Sequence, residues 1–138
     1  MGEWPDALQE IIDEFSEVFD DMERFELLFE WAERIDQIPP EEWSKTTRVV
    51  GCQSEAHIRT EFRDSGFHLQ GASDSQIVQG LMAITGIALH GLTPGEVTGF
   101  SPRYVEEMGL MQALSPSRAN GFLNMFMKVQ DEARAMLG

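Results

Sequence analysis

The feature that most constrains the fold is a change of hydrophobic period in mid-chain. Ala56, Ile58, Thr60 and Phe62 alternate with His57, Arg59, Glu61 and Arg63, a period of two that marks a half-buried strand. Arg63-Asp64-Ser65-Gly66 then supplies a turn, and Phe67, Leu69 and Gly71 alternate on the way back. Pairing Phe62 with Phe67, Thr60 with Leu69 and Ile58 with Gly71 gathers the apolar residues on one face. A slip of one residue would mix the faces, so the register is specified. Just before this hairpin, Arg48-Val49-Val50 reads as a third short strand running into Gly51-Cys52-Gln53-Ser54.

On both sides the period is helical. Residues 6–20 place Leu8, Ile11, Ile12, Phe15 and Phe19 on one stripe, with Asp6 as expected N-cap and Gln9 three residues on. Residues 22–36 repeat the pattern with Met22, Phe25, Leu28, Phe29, Ala32 and Ile35, and stop before Pro39-Pro40. After the hairpin, Ser73 with Gln76 predicts a capping box ahead of Ile77, Leu81, Ile84 and Ile87, and His90-Gly91 ends that helix. Thr93-Pro94, Ser101-Pro102 and Ser115-Pro116 each put a hydroxyl at an N-cap and proline at the first helical position. The last helix is expected over about residues 116–137. The expected architecture is α+β: a small three-stranded antiparallel sheet packed against two N-terminal and about four C-terminal helices, in one domain over residues 1–138.

Charge is unevenly placed. Residues 1–43 hold 15 acids against 2 bases, whereas residues 44–138 hold 9 against 8, which together make the net −14. A nucleic-acid backbone needs a basic footprint, and an anionic membrane surface needs one too; neither is a fitting partner. The acidic block reads as solvated helix surface, or as a face that steers a basic partner. With no run of about 18 apolar residues and no basic-then-apolar leader, the expectation is a cytoplasmic protein. An overall apolar share of 42% argues against disorder along the chain, and a single cysteine argues against a disulfide scaffold.

That cysteine, Cys52, is the one position that looks chemical. A lone cysteine is commonly a small buried hydrophobe. Here its neighbours are Gly51, Gln53 and Ser54, in a loop between two expected strands, where side chains are presented rather than packed. Gly51 permits backbone conformations closed to other residues. A thiol at such a tip can enter another protein's active site, and as the thiolate it is a nucleophile.

Four stretches, in order, resemble the signature segments of the SufE family of sulfur acceptors in iron–sulfur cluster assembly. They are Val50-Gly51-Cys52-Gln53-Ser54, Ser73-Asp74-Ser75-Gln76-Ile77-Val78-Gln79-Gly80-Leu81, Leu92-Thr93-Pro94-Gly95-Glu96-Val97 and Leu114-Ser115-Pro116-Ser117-Arg118-Ala119-Asn120-Gly121. The resemblance implies that Cys52 takes the terminal sulfur from the persulfide of a PLP-dependent cysteine desulfurase of the SufS type. It implies delivery to a scaffold of the SufBCD type, stimulation of the desulfurase, and no PLP on the carrier itself. It implies a SufE/IscU-like fold and a monomer or a homodimer. The chemistry of the residues fits: thiolate attack on a sulfur–sulfur bond needs one accessible nucleophile, and a second cysteine nearby could resolve the persulfide too early.

Arg118 falls in the first turn of the last helix, where a cation opposes the macrodipole and so lacks a local reason. It either stabilises the thiolate or contacts the partner, or else it ties helix to loop; the resembling family also has arginine here. Asp74 reads as a first-turn acid or a partner contact, and Gly51, Gln53 and Ser54 as loop and partner contacts. His57 stands where many members of that family have tryptophan. It is expected on the polar strand face, facing solvent, or else tuning or shuttling a proton for Cys52. Two rivals remain. A metal or cluster scaffold of the IscU type needs several soft ligands, and no metal site is expected. His68, opposite Glu61 in the expected register, lies on the order of 13 Å from His57 at ~3.3 Å per residue, too far to share one ion. A cysteine hydrolase would use Cys52 with His57 as base, but no orienting carboxylate is evident.

Overall fold

The computed structural model describes residues 4–137. Helix α1 (Asp6–Ser16) buries Leu8, Ile11, Ile12 and Phe15, the spacing that puts four side chains on one helical stripe. Asp6 is its first residue rather than its cap; the chain enters from Pro5 with no side-chain cap. The expected continuation to residue 20 fails for a local reason. The Asp20 carboxylate accepts the Glu23 N–H at 2.8 Å and starts α2 (Asp21–Ala32) afresh. Phe19 falls in the break and is 95% exposed. In α2 the core stripe is narrower than its apolar pattern: Leu28 and Ala32 are buried, whereas Met22 and Phe29 are exposed.

Strands β1 (Ala56–Arg63) and β2 (Gly66–Ser73) form the hairpin, with Phe62 opposite Phe67, Thr60 opposite Leu69 and Ile58 opposite Gly71, as the alternation demands. Asp64 and Ser65 both take positive φ, the pair of left-handed residues that matches strand twist in a two-residue turn. Among the described residues the sheet has two strands, not three. The expected strand at 48–50 is reduced to a single bridge between Arg48 and His57, flanked by Val49 N–H to Ala56 O and Ile58 N–H to Thr47 O, each 2.8 Å. It ends there because Val50 already points outward, 82% exposed, and Gly51 turns the chain away at φ +86°. The opposite edge is covered in the same manner, by a parallel bridge from Gln37 to Gly71.

Helix α3 (Gln76–Leu89) is the axis of the fold, with buried residues on all its faces and α1, α2, β2 and α7 packed around it. Its cap is Ser75, whose hydroxyl accepts the Val78 N–H at 3.3 Å, not the expected Ser73. Beyond it come α4 (Pro94–Thr98), α5 (Tyr104–Glu107), α6 (Leu110–Ala113) and α7 (Pro116–Met136). Thr93 makes the expected capping box with Glu96, and Ser115 caps α7. Ser101 instead accepts the Arg103 N–H and closes a turn, and a left-handed Gly109 separates two single-turn helices. The described residues therefore have five helices after the hairpin, one more than the sequence suggests. Tyr104 is fully buried against Phe122 and Phe126, its hydroxyl 2.6 Å from Thr85 Oγ1. No helix among the described residues is long and apolar enough to cross a membrane.

Candidate functional site

Cys52 lies in the loop of residues 50–55, between the Arg48 bridge and β1. Both stems of this loop are tied down. On the incoming side, Lys128 Nζ of α7 donates to Thr46 O at 2.8 Å, next to the two backbone bonds of the bridge. On the outgoing side, Glu55 N–H donates to the Asp74 carboxylate at 3.1 Å, while Ser73 Oγ and Asp74 N–H both donate to Glu55 O. Asp74 is thus outside the helix that Ser75 caps. Its carboxylate holds the loop rather than complementing a first turn. Ser73, expected as a helix cap, serves the same loop.

The tip rests on α7. Asn124 Nδ2 donates to Gly51 O at 3.0 Å. A Cβ on Gly51 would stand 2.5 Å from that same Nδ2 and push it aside, and the positive φ also favours glycine. The half-buried Cys52 turns its sulfur toward α7, where a Cβ on Gly121 would come within 3.0 Å of Sγ. A cavity of about 240 Å³ opens beside it, lined by Cys52, Gln53, Ser54, Val78, Ser117 and Arg118. The cavity lies at the first turns of α3 and α7, whose N-terminal N–H groups favour negative charge. Arg118 is its one charged lining group. Among the described residues the Arg118 side chain makes no hydrogen bond and no ion pair, while its backbone N–H donates to Ser115 Oγ.

His57 stands in a different situation from the one expected. It points to the outer face of β1, but that face is covered at this end, and the residue is only 2% exposed. Its ring stacks on Trp43 with centroids 4.6 Å apart and planes 20° apart. Nδ1 lies 2.7 Å from Thr47 Oγ1 and Nε2 lies 2.8 Å from Glu55 Oε1. Both nitrogens are engaged, so the ring has no lone pair free to serve as a base for Cys52, and the hydrolase reading loses its histidine. The hydrogen bond from His57 holds the Glu55 carboxyl below the usual carboxylate range, helped by Arg48, whose guanidinium is 3.9 Å away.

Gln53 and Ser54 sit with Cys52 and Arg118 on one cavity, as Gly51 sits under the tip; His57 and Asp74 act on the loop's stems. The sequence assigns no role to Asn124, Lys128, Trp43 or Thr47, and marks Gly121 only as the end of a family-like stretch. Gly121 and Asn124 carried one signal, a small and a polar residue three apart on a helix whose core stripe is Phe122, Met125, Phe126 and Val129. His68 and His90 meet edge to face at 4.8 Å and line another cavity, with Arg34, Asp36 and Arg63. Among the described residues no group of three or more His, Cys, Asp or Glu side chains is placed to hold a metal ion.

Residues 9–133 match the SufE family, described as an Fe-S metabolism associated domain. A SufE-like protein of Synechocystis is 36% identical over 131 residues, which are 95% of this chain and 82% of that one. SufE-like protein 1, chloroplastic/mitochondrial, of Arabidopsis thaliana is 31% identical over 134 residues, 96% of this chain but 36% of that longer protein. The solution structure of a hypothetical protein from Thermus thermophilus shares the fold, with a TM-score of 0.80 at 20% identity over 97% of this chain and 98% of that one. By the match over nearly its whole length and by these relatives, the chain belongs to the SufE family.

Proposed function

We propose that this protein carries sulfur for iron–sulfur cluster assembly, with Cys52 as acceptor. The observation that carries the reading is the seat of the chain's one thiol: half-buried at the tip of a tethered loop, on a cavity whose one charged lining group is Arg118, unpaired among the described residues. In the proposed step the Cys52 thiolate attacks the terminal sulfur of a cysteine persulfide on a PLP-dependent desulfurase of the SufS type. A new sulfur–sulfur bond forms at Cys52, the donor's sulfur–sulfur bond breaks, and the donor cysteine leaves as thiolate. No oxidant or reductant is consumed. The product is a Cys52 persulfide; its terminal proton passes to the departing donor thiolate or to water, and the resulting anion is favoured by the Arg118 guanidinium and the N-terminal turns of α3 and α7. Removing sulfur from the desulfurase frees it for the next turnover, and the carrier then passes its sulfur to a scaffold of the SufBCD type. PLP belongs to the partner. On this reading the protein is a relay rather than an enzyme, and the lack of another cysteine in the chain leaves nothing within it to resolve the persulfide.

The test is incubation with a cysteine desulfurase and cysteine, followed by intact-mass spectrometry. Addition of the mass of sulfur at Cys52, reversed by reductant and absent in Cys52→Ser, is the expected result. Desulfurase stimulation that survives Cys52→Ser would overturn the reading.

A further inference from the structure

We infer that His57 is the positioning residue of the acceptor loop, a clasp that joins its two stems through a single imidazole. One ring nitrogen meets Thr47, on the incoming stem, and the other meets Glu55, on the outgoing stem. Two backbone bonds of the bridge, Val49 N–H to Ala56 O and Ile58 N–H to Thr47 O, also join the stems, and His57 adds the side-chain tie nearest the loop. The Arg48–Glu55 ion pair spans them too, but at 3.9 Å between solvent-exposed groups it is weak. The His57 ring is fixed, stacked on Trp43 and 2% exposed. Trp43 is anchored in turn by its indole N–H, which donates to Ile38 O at 3.0 Å.

The arrangement tolerates either protonation state of the ring. Ser44 O accepts from Arg48 N–H at 3.1 Å as well as from Thr47 Oγ1. The Thr47 hydroxyl can therefore release Ser44 O and donate to Nδ1 of a neutral ring without orphaning that carbonyl. With both ring nitrogens protonated, Nδ1–H donates to Thr47 Oγ1 and the hydroxyl returns to Ser44 O. Nε2–H donates to the Glu55 carboxylate in both cases. The clasp holds the stems of the 50–55 loop at a set spacing, so the tip alone, resting on α7 through the Gly51–Asn124 bond and the seat of Sγ on Gly121, is left to move. A carrier whose thiol is half-buried at rest needs the tip to yield while the stems do not. A tryptophan at this position could supply the stack but not a bond to each stem.

The role in sulfur transfer rests on the sulfur-acceptor reading; the clasp itself is measurable without it. In His57→Phe the ring over Trp43 is kept and both hydrogen bonds are lost. Thr47 retains Ser44 as partner and Glu55 is partly exposed, so no buried polar group is orphaned and the variant is expected to fold. Three readouts apply: amide hydrogen exchange, alkylation of Cys52 by iodoacetamide, and sulfur transfer from a desulfurase. Expected is exchange faster by about tenfold at Val49 and in residues 52–55, with Thr60 and Leu69 in the hairpin unchanged, and alkylation faster by a similar factor. Sulfur transfer should show a raised KM at nearly constant kcat, because fewer molecules hold the competent loop. His57→Gln, which places an N–H donor near the Nε2 position, should restore part of each effect. Equal acceleration at the loop and the hairpin, or wild-type exchange and alkylation in His57→Phe, would overturn the inference. If the wild-type protein takes up no sulfur while the exchange and alkylation results hold, the clasp stands and the acceptor reading falls.

Discussion

Replacing Gly121 by alanine tests how firmly the thiol is seated. Gly121 is buried within α7, and an added Cβ would meet Cys52 Sγ at 3.0 Å and Cys52 Cβ at 3.8 Å, its only contacts within 4 Å among the described residues apart from its chain neighbours and the backbone of its own helix. The obstacle is thus the end of one side chain on a loop, which needs to give by a few tenths of an ångström. Against this, alanine gains about 1 kcal/mol over glycine in a helix interior. Moving the sulfur strains or breaks the Asn124–Gly51 bond of 3.0 Å, worth about 0.5–1.5 kcal/mol net. The two terms nearly cancel, so the expected change in stability is about −0.5 to +0.5 kcal/mol, a shift in Tm of no more than about 2 °C in either direction. The thiol should meanwhile be displaced from α7 and alkylated severalfold faster. Urea denaturation with a native-state alkylation time course reads both. Gly80→Ala is the counterexample: there the Cβ would stand 2.6 Å from Leu28 O and 2.7 Å from Leu28 Cγ, where α2 crosses α3. Helix backbone cannot step aside as a loop side chain can, and a loss of about 1–3 kcal/mol is expected. A loss of that size in Gly121→Ala, with alkylation unchanged, would refute the reasoning, because it would show the thiol's seat to be as rigid as a helix crossing.

Three further predictions rest on single contacts. Arg118→Ala should slow single-turnover sulfur uptake on the order of tenfold while leaving Tm nearly unchanged, since the side chain makes no bond among the described residues; a Tm loss in proportion to the rate loss would mark the arginine as structural. Tyr104→Phe should cost about 1 kcal/mol in urea denaturation, because Thr85 Oγ1 loses the tyrosine hydroxyl at 2.6 Å but keeps Leu81 O at 2.8 Å; burial holds the Tyr104 hydroxyl protonated well above its ordinary titration range. Glu55 has its carboxyl lowered by the His57 hydrogen bond, with Arg48 adding to it. A depressed acid contributes stability above the unfolded carboxylate range and loses it as pH falls through the folded value. Glu55→Gln should therefore flatten the acid limb of a stability–pH profile; an identical acid limb in both proteins would contradict this.

Much of this protein was legible in its sequence because the physics involved is local. The hairpin register follows from a period of two and a turn, since each residue's face is set by its neighbours two positions away. The cap at Thr93 and that at Ser115 follow from hydroxyl–proline pairs, which act within one turn of helix. The order of the motifs pointed to the family. Phe19 and Met22 misled because periodicity shows which side chains are aligned, not where the helix is cut, and the Asp20 cap cut it.

Only tertiary structure decided the rest. Alternation correctly turned His57 away from the hairpin's inner face, but whether that outer face meets water depended on Trp43 and residues 44–48, brought over it from elsewhere in the chain. The third strand shrank to a bridge because Gly51 had to bend toward α7, a helix more than sixty residues downstream. The meeting of Cys52 with Arg118 and Gly121, and of Asp74 with Glu55, likewise joins segments distant in sequence. Backbone period and capping are set by residues within a few positions, whereas burial and the company a side chain keeps are set by which distant surfaces the core brings together.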